Sequence, residues 1–100
     1  MIKVSINKDK DIVNNITIKG HANFDDYGKD IVCASVSSIV ITSINAILRI
    51  DAESIDYQEK EGLVIIDIKK HTNVIDILID NMIDLFKELE KDYKKYIEIR

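Results

Sequence analysis

The apolar residues of this chain switch between two spacings, and those switches dictate what it can fold into. Ile2, Val4 and Ile6 alternate with Lys3 and Ser5 at the period of a half-buried strand. The polar cluster Asn7-Lys8-Asp9-Lys10-Asp11 reads as a turn, and Ile16 and Ile18 resume the alternation, so residues 1–20 are expected to form a hairpin. Between Gly20 and Asp30 no period is sustained. Over residues 31–49, Val32, Cys33, Val36, Ile39, Val40, Ile44 and Ile47 return at helical spacing and cover much of the circumference, the mark of a centrally packed helix. Residues 54–58 and 63–68 flank Glu59-Lys60-Glu61-Gly62 as a second hairpin. A second helix is expected from Thr72 or Asn73 as its cap, carrying Val74, Ile77, Leu78, Met82, Leu85, Phe86 and Leu89. Residues 96–99 read as a short closing strand. The order ββαββα(β) predicts an α+β two-layer fold, a mostly antiparallel sheet packed with two helices.

Composition narrows the class further. The 100 residues suit one domain, 1–100, and 46% hydrophobic with 32% charged residues excludes disordered and low-complexity chains. Isoleucine supplies 21 residues, so β-branched packing should dominate the interior. A formal charge of −4 disfavours direct nucleic-acid binding, which wants a basic face. One cysteine forms no internal disulfide, and two histidines with it make a poor zinc set, so no metal is expected. No signal pattern precedes the first strand, and no apolar run is expected to approach the ~20 residues of a membrane span. These readings point to a cytoplasmic protein without membrane attachment.

The segment 20–30 carries most of the chemistry. It is longer than a typical connection of about 4–6 residues, with Gly20 and Gly28 near its ends. Asp30 is a plausible N-cap, which would place Cys33 in the first helical turn, where the helix dipole and unpaired N–H groups favour a thiolate. His21, twelve residues earlier, would reach the sulfur if the segment folds back, serving as base and then acid. First-turn amides beside Cys33 would hold an oxyanion. The plain alternative is that Cys33 is a small buried hydrophobe and His21 a surface residue. Phe24 and Tyr27 either line an apolar slot for a substrate side chain or anchor the segment to the body. Asp25 and Asp26 either meet a basic partner or form a solvated turn. His71 reads as a surface residue near the second helix start.

The string Gly20-His21-Ala22, then Gly28-Lys29-Asp30-Ile31-Val32-Cys33-Ala34-Ser35-Val36-Ser37, resembles the signature of the ribosomal-processing cysteine proteases, the Prp family of bacteria. The resemblance implies a cysteine endopeptidase that removes the N-terminal extension of the twenty-seventh protein of the large ribosomal subunit. It places the nucleophile on Cys33, the histidine base on His21 and the nearby aspartate on Asp30. Gly28 falls in a loop expected to move on substrate binding, a possible lid, and Ser37 lies one turn beyond Cys33. The family resemblance also implies a homodimer, no cofactor, and the N-terminal segment of a ribosomal protein precursor as partner. The alternative is a non-catalytic ribosome-associated module binding the same basic tail.

Overall fold

Every inward residue of the sheet is paired with another inward residue, which makes one apolar face. The computed structural model describes residues 1–20 and 27–100, with positions 27–30 described through their backbone alone. Strands β1 (Ile2–Asp9), β2 (Ile12–Lys19), β3 (Ile55–Lys60), β4 (Leu63–Ile68) and β5 (Ile97–Ile99) form one sheet in the order β3-β4-β2-β1-β5. Helix α1 (Tyr27–Ile50) follows β2, and α2 (Asn73–Asp92) follows β4. The pairs Val4↔Ile18, Ile6↔Ile16, Ile18↔Val64, Ile16↔Ile66, Ile55↔Ile68 and Ile2↔Ile97 set the register. A slip of one residue in any strand would turn its isoleucines to solvent, so this register is strongly specified. All pairings are antiparallel except β1 with β5.

The opposite face is polar and carries its own cross-strand links. Asn7 Nδ2 donates to Asn15 Oδ1 at 2.9 Å, and Asn15 Nδ2 donates to Asp67 Oδ1 at 2.7 Å. Thr17 Oγ1 donates to the same Asn15 oxygen at 3.0 Å. The β1–β2 connection is tighter than the polar cluster suggested. Only Lys10 and Asp11 lie outside the strands, both at positive φ (51° and 67°), as a two-residue I′ hairpin requires. A register shift between Asn7 and Lys8 restores the inward direction of Val13, which packs against the core.

The helices cover the apolar face. From α1 come Val32, Cys33, Val36, Val40, Ile44 and Ile47, and from α2 come Ile75, Ile79, Met82, Ile83 and Phe86, all buried. Thr72 caps α2 as the sequence suggests, its hydroxyl accepting from Ile75 N–H at 3.2 Å. The buried stripe of α2 corrects the sequence reading, because Val74, Ile77 and Leu85 stand exposed on the outer side. By length and composition Ile31–Ile50 is apolar enough to cross a membrane, with a mean hydropathy of 2.1, contrary to the expected lack of such a run. In this fold its inner row is the middle of the core, and Ser43 on the same helix is buried with it.

Backbone bonds tie two junctions, one past the C-terminus of α1 and one at the end of β2. Past the α1 C-terminus, buried Ser54 donates its hydroxyl to Asp51 O at 2.7 Å, while its own carbonyl accepts from Lys69 N–H at 2.7 Å and Lys70 N–H at 3.1 Å. The Asp51 carboxyl is held below the usual range, first by the Glu53 N–H and then by Lys70. At the end of β2, Gly20 leaves the strand at φ +86° and donates its N–H to Gly62 O at 2.8 Å. A Cβ there would stand 2.9 Å from the Met1 carbonyl oxygen. Left-handed backbone and a backbone obstacle both demand glycine. Gly20→Ala is therefore expected to destabilise the fold by about 1–3 kcal/mol, read as a lower urea midpoint with an unchanged slope.

Candidate active site

Helix α1 begins at Tyr27, and this relocates the chemistry expected at its start. Asp30 is not the N-cap but the fourth residue of the helix, and Gly28 lies inside the first turn rather than in a loop. Cys33 therefore sits in the second turn, about 9 Å along the axis from Tyr27. The sequence holds Asp25 and Asp26 as well as Asp30 ahead of the apolar run, and periodicity cannot rank these as starts. Dipole and free-amide effects fade beyond the first turn. The amides beside Cys33 are thus engaged in the helix, and the expected oxyanion hole built from them is not formed.

The thiol nevertheless occupies a defined place. Cys33 is 4% exposed and packed in the apolar cluster with Val32 and Val36 on its own helix. Its Cβ leans towards the helix N-terminus, over the turn that contains Asp30. Half-buried Ser37 follows four residues later on the same face. Ser35 is turned away into a bond with its own helix, its hydroxyl donating to Ile31 O at 2.9 Å. Of the other expected site residues, His21 and Phe24 lie outside the described residues, as do Asp25 and Asp26. Tyr27, Gly28 and Asp30 are placed by backbone only.

His71 is at the wrong end. Lys69 and Lys70 are bonded to Ser54, beyond the C-terminus of α1, and His71 follows them with Nδ1 2.9 Å from Asp76 Oδ1. Cys33 lies 17 residues before the end of α1 at Ile50, which is roughly 26 Å of helix. A cleft of about 550 Å³ is also remote. Ile6, Lys8, Val13, Asp84 and Arg100 line it, near the β1–β2 turn rather than near Gly20.

A smaller cleft of about 50 Å³ borders the thiol's own helix face, and sequence reasoning overlooked it. Val36, Ser37, Val40 and Ile41 of α1 face Tyr57, Glu59 and Val64 of the sheet across it. Alternation along β3 puts Ile55, Tyr57 and Glu59 on the helix side, a pattern visible in the sequence once β3 is extended to Lys60. Tyr57 donates its hydroxyl to Glu59 Oε2 at 2.8 Å.

A family model described as Cysteine protease Prp matches residues 1–98. The chain belongs to the Prp cysteine protease family. It is 29% identical over 103 residues to the ribosomal processing cysteine protease Prp of Staphylococcus aureus strain NCTC 8325, covering 99% of this chain and 97% of that one. Against the Bacillus subtilis strain 168 protein of the same description it is 29% identical over 108 residues, with 99% and 96% covered. The crystal structure of the essential ribosomal processing protease Prp from S. aureus with a substrate peptide matches with a TM-score of 0.93 and 26% identity, covering 100% of this chain and 98% of that one. The same S. aureus protease with a covalently linked product peptide matches at 0.88 and 27%, with the same coverage. The chain is a Prp-family cysteine protease, and its ββαββα(β) order is that of the family.

Burial, then the hydrogen bond to Glu59 and its negative charge, push the Tyr57 phenol up to about 12. A folded-state value above the ordinary value of about 10 means that this group's contribution to stability is complete below pH ~10. The contribution is lost as pH rises from there through about 12. Phenolate absorbance, titrated in the native protein and in Tyr57→Phe, should differ by one group ionising near that upper value.

Proposed function

We propose that this protease removes the N-terminal extension of the twenty-seventh large-subunit ribosomal protein, with Cys33 as nucleophile and His21 as general base and acid. One observation carries the assignment of the nucleophile: a cysteine protease needs a thiol, and this chain has one cysteine. The histidine follows by the same counting. There are two, and His71 is held at the far end of α1, which leaves His21, one residue beyond the Gly20 corner at the Cys33 end of the sheet. Asp30, three residues before Cys33, is assigned to orient the imidazole. Its interior helical position frees it from the capping duty that the sequence suggested. Phe24, Tyr27, Gly28 and Ser37 are assigned to substrate binding.

The chemistry runs in two halves. The imidazole takes the thiol proton as sulfur attacks the scissile carbonyl carbon, and the resulting imidazolium protonates the departing amine as the C–N bond breaks. Water, deprotonated by the same imidazole, then attacks the thioester and releases the second product, returning the proton to sulfur. No cofactor enters. The ribosomal substrate is supported by likeness to the ribosomal processing cysteine proteases of S. aureus and B. subtilis, which covers 99% of this chain. We place the enzyme in the cytoplasm, where ribosomal precursors are made.

Cys33→Ala should fold normally and leave a precursor peptide uncut, whereas His21→Ala should slow cleavage by about 10²–10⁴-fold. Normal cleavage by Cys33→Ala would end the assignment. Intact wild-type cleavage of other peptides with no action on the ribosomal precursor would end the substrate reading alone. A homodimer is also proposed, motivated by the exposed apolar Val74, Ile77 and Leu85 on α2. Light scattering should then give twice the 11.5 kDa of one chain, and a monomer at micromolar concentration would refute it.

A further inference from the structure

We propose that the cleft of about 550 Å³ between the far part of β1 and α2 is a second, non-catalytic docking site, which holds an extended aliphatic peptide segment bearing lysine or arginine at one end. It stands apart from the catalytic assignment and does not need it. The sheet is unfinished here. β1 runs from Ile2 to Asp9, whereas β5 pairs with it only from Ile2 to Val4. Arg100 carries the contact one step further, its carbonyl accepting from Ile6 N–H at 3.1 Å. Past that point, among the described residues, no strand lies beside β1 on the side away from β2. A peptide laid there would continue the line of β5 and take up the open edge with main-chain bonds.

The core side of this corner is open as well. Ile6, Val13 and Ile99 pack against the core but stay half-buried, while Val4, Ile16 and Ile18 beside them in the sheet are fully buried. The register shift after Asn7 aims Val13 into the cleft, which buried Ile83 of α2 lines from the other side. Three partly exposed aliphatic groups on one wall favour an aliphatic side chain from the occupant. From Asp80 to Glu90 the α2 wall is about 15 Å long, which about four to five extended residues span. Every second residue of that segment would face Ile83.

Charge sets the class of the occupant. Asp80 and Asp84 stand four apart on α2, a like-charged pair that weakens a helix, and neither forms an ion pair among the described residues. A smaller cleft of about 160 Å³ shares Lys8, Val13 and Asp80 and carries the acidic side on to Asp11 and Asp76. Lys8 opposes these carboxylates, and Asp76 already meets His71. At the opposite end Lys87 stands with Glu90, whose carboxylate accepts from Ile99 N–H, and Arg100 is bonded to Glu98. The surplus of carboxylate therefore lies at the Asp80 end, which fits a cationic side chain there and an uncharged start near β5.

Full-length Cys33→Ala, labelled with nitrogen-15 and titrated with acetyl-Val-Thr-Ile-Lys-Lys amide, tests this by NMR. The amide signals of Lys8, Val13, Ile83 and Asp84 should move together, and binding should weaken as salt rises. Asp80→Asn combined with Asp84→Asn, both at exposed positions, should weaken the probe about three- to tenfold. Glu88→Gln combined with Asp92→Asn removes the same charge away from the cleft and should leave binding unchanged. The glutamate counterpart, acetyl-Val-Thr-Ile-Glu-Glu amide, should bind more weakly than the lysine probe. Shifts confined to α1 and β3, no shift at millimolar probe, or a loss no greater for the Asp80 and Asp84 pair than for the control pair overturns the proposal. Concentration-dependent shifts of the same amides without peptide would put a second copy in the cleft and overturn it as well.

Discussion

The burial of one helix row against one sheet face governs everything else in this molecule. Helix α1 runs across the sheet, and its inner residues from Val32 to Ile47 meet Val4, Ile16, Ile18, Val64 and Ile66. Each fully buried aliphatic side chain contributes about 1.5–3 kcal/mol before the entropy of ordering is set against it. That packing leaves α1 little freedom to rotate or slide, because rotation by one residue would expose isoleucine and bury serine. Cys33 is a member of the row. Its position relative to the Gly20 corner and to β3 is consequently set by the same apolar register that holds the domain together.

A thiol in such a place faces two demands. The core asks for a small, unreactive group, and a 4% exposed cysteine satisfies it. Peptide hydrolysis asks for an accessible sulfur with a base beside it. Cys33 stands near the N-terminal end of the apolar row, six residues into α1. Deeper positions such as Val40 and Ile44 are packed equally well. The long C-terminal part of α1 and the bonds around Ser54 then act as the anchor that keeps the N-terminal turns in place.

Much of this was legible in the sequence. Alternation at Ile2, Val4, Ile16 and Ile18 gave the first hairpin, and Thr72 announced α2 because its hydroxyl has a defined acceptor role there. What local pattern could not decide was the start of α1, since several aspartates precede the apolar run and a helix accommodates a glycine such as Gly28 in its first turn without losing an internal bond. The parallel pairing of β5 with β1 was equally hidden. Three residues carry too little periodicity to name a partner strand, and only the return of the chain from α2, tied by the Ile99 N–H to Glu90 at 2.8 Å, selects it. On α2 the error came from counting apolar residues without phase. Ile75, Ile79, Met82, Ile83 and Phe86 follow the 3.6-residue period inward, while Ile77 lies off that stripe.

The site was read in part for a different reason. Motif and cysteine count lead straight to Cys33, but the cleft beside it depends on which residues of β3 face the helix, and that in turn on the strand continuing to Lys60. With the strand stopped at Gln58, Glu59 belongs to a turn and has no reason to matter. Once β3 is continued, Glu59 becomes an inward-directed charge on an edge strand. Such a charge discourages indiscriminate pairing with another sheet. The neighbouring Tyr57 hydroxyl engages that carboxylate and holds it beside the ring.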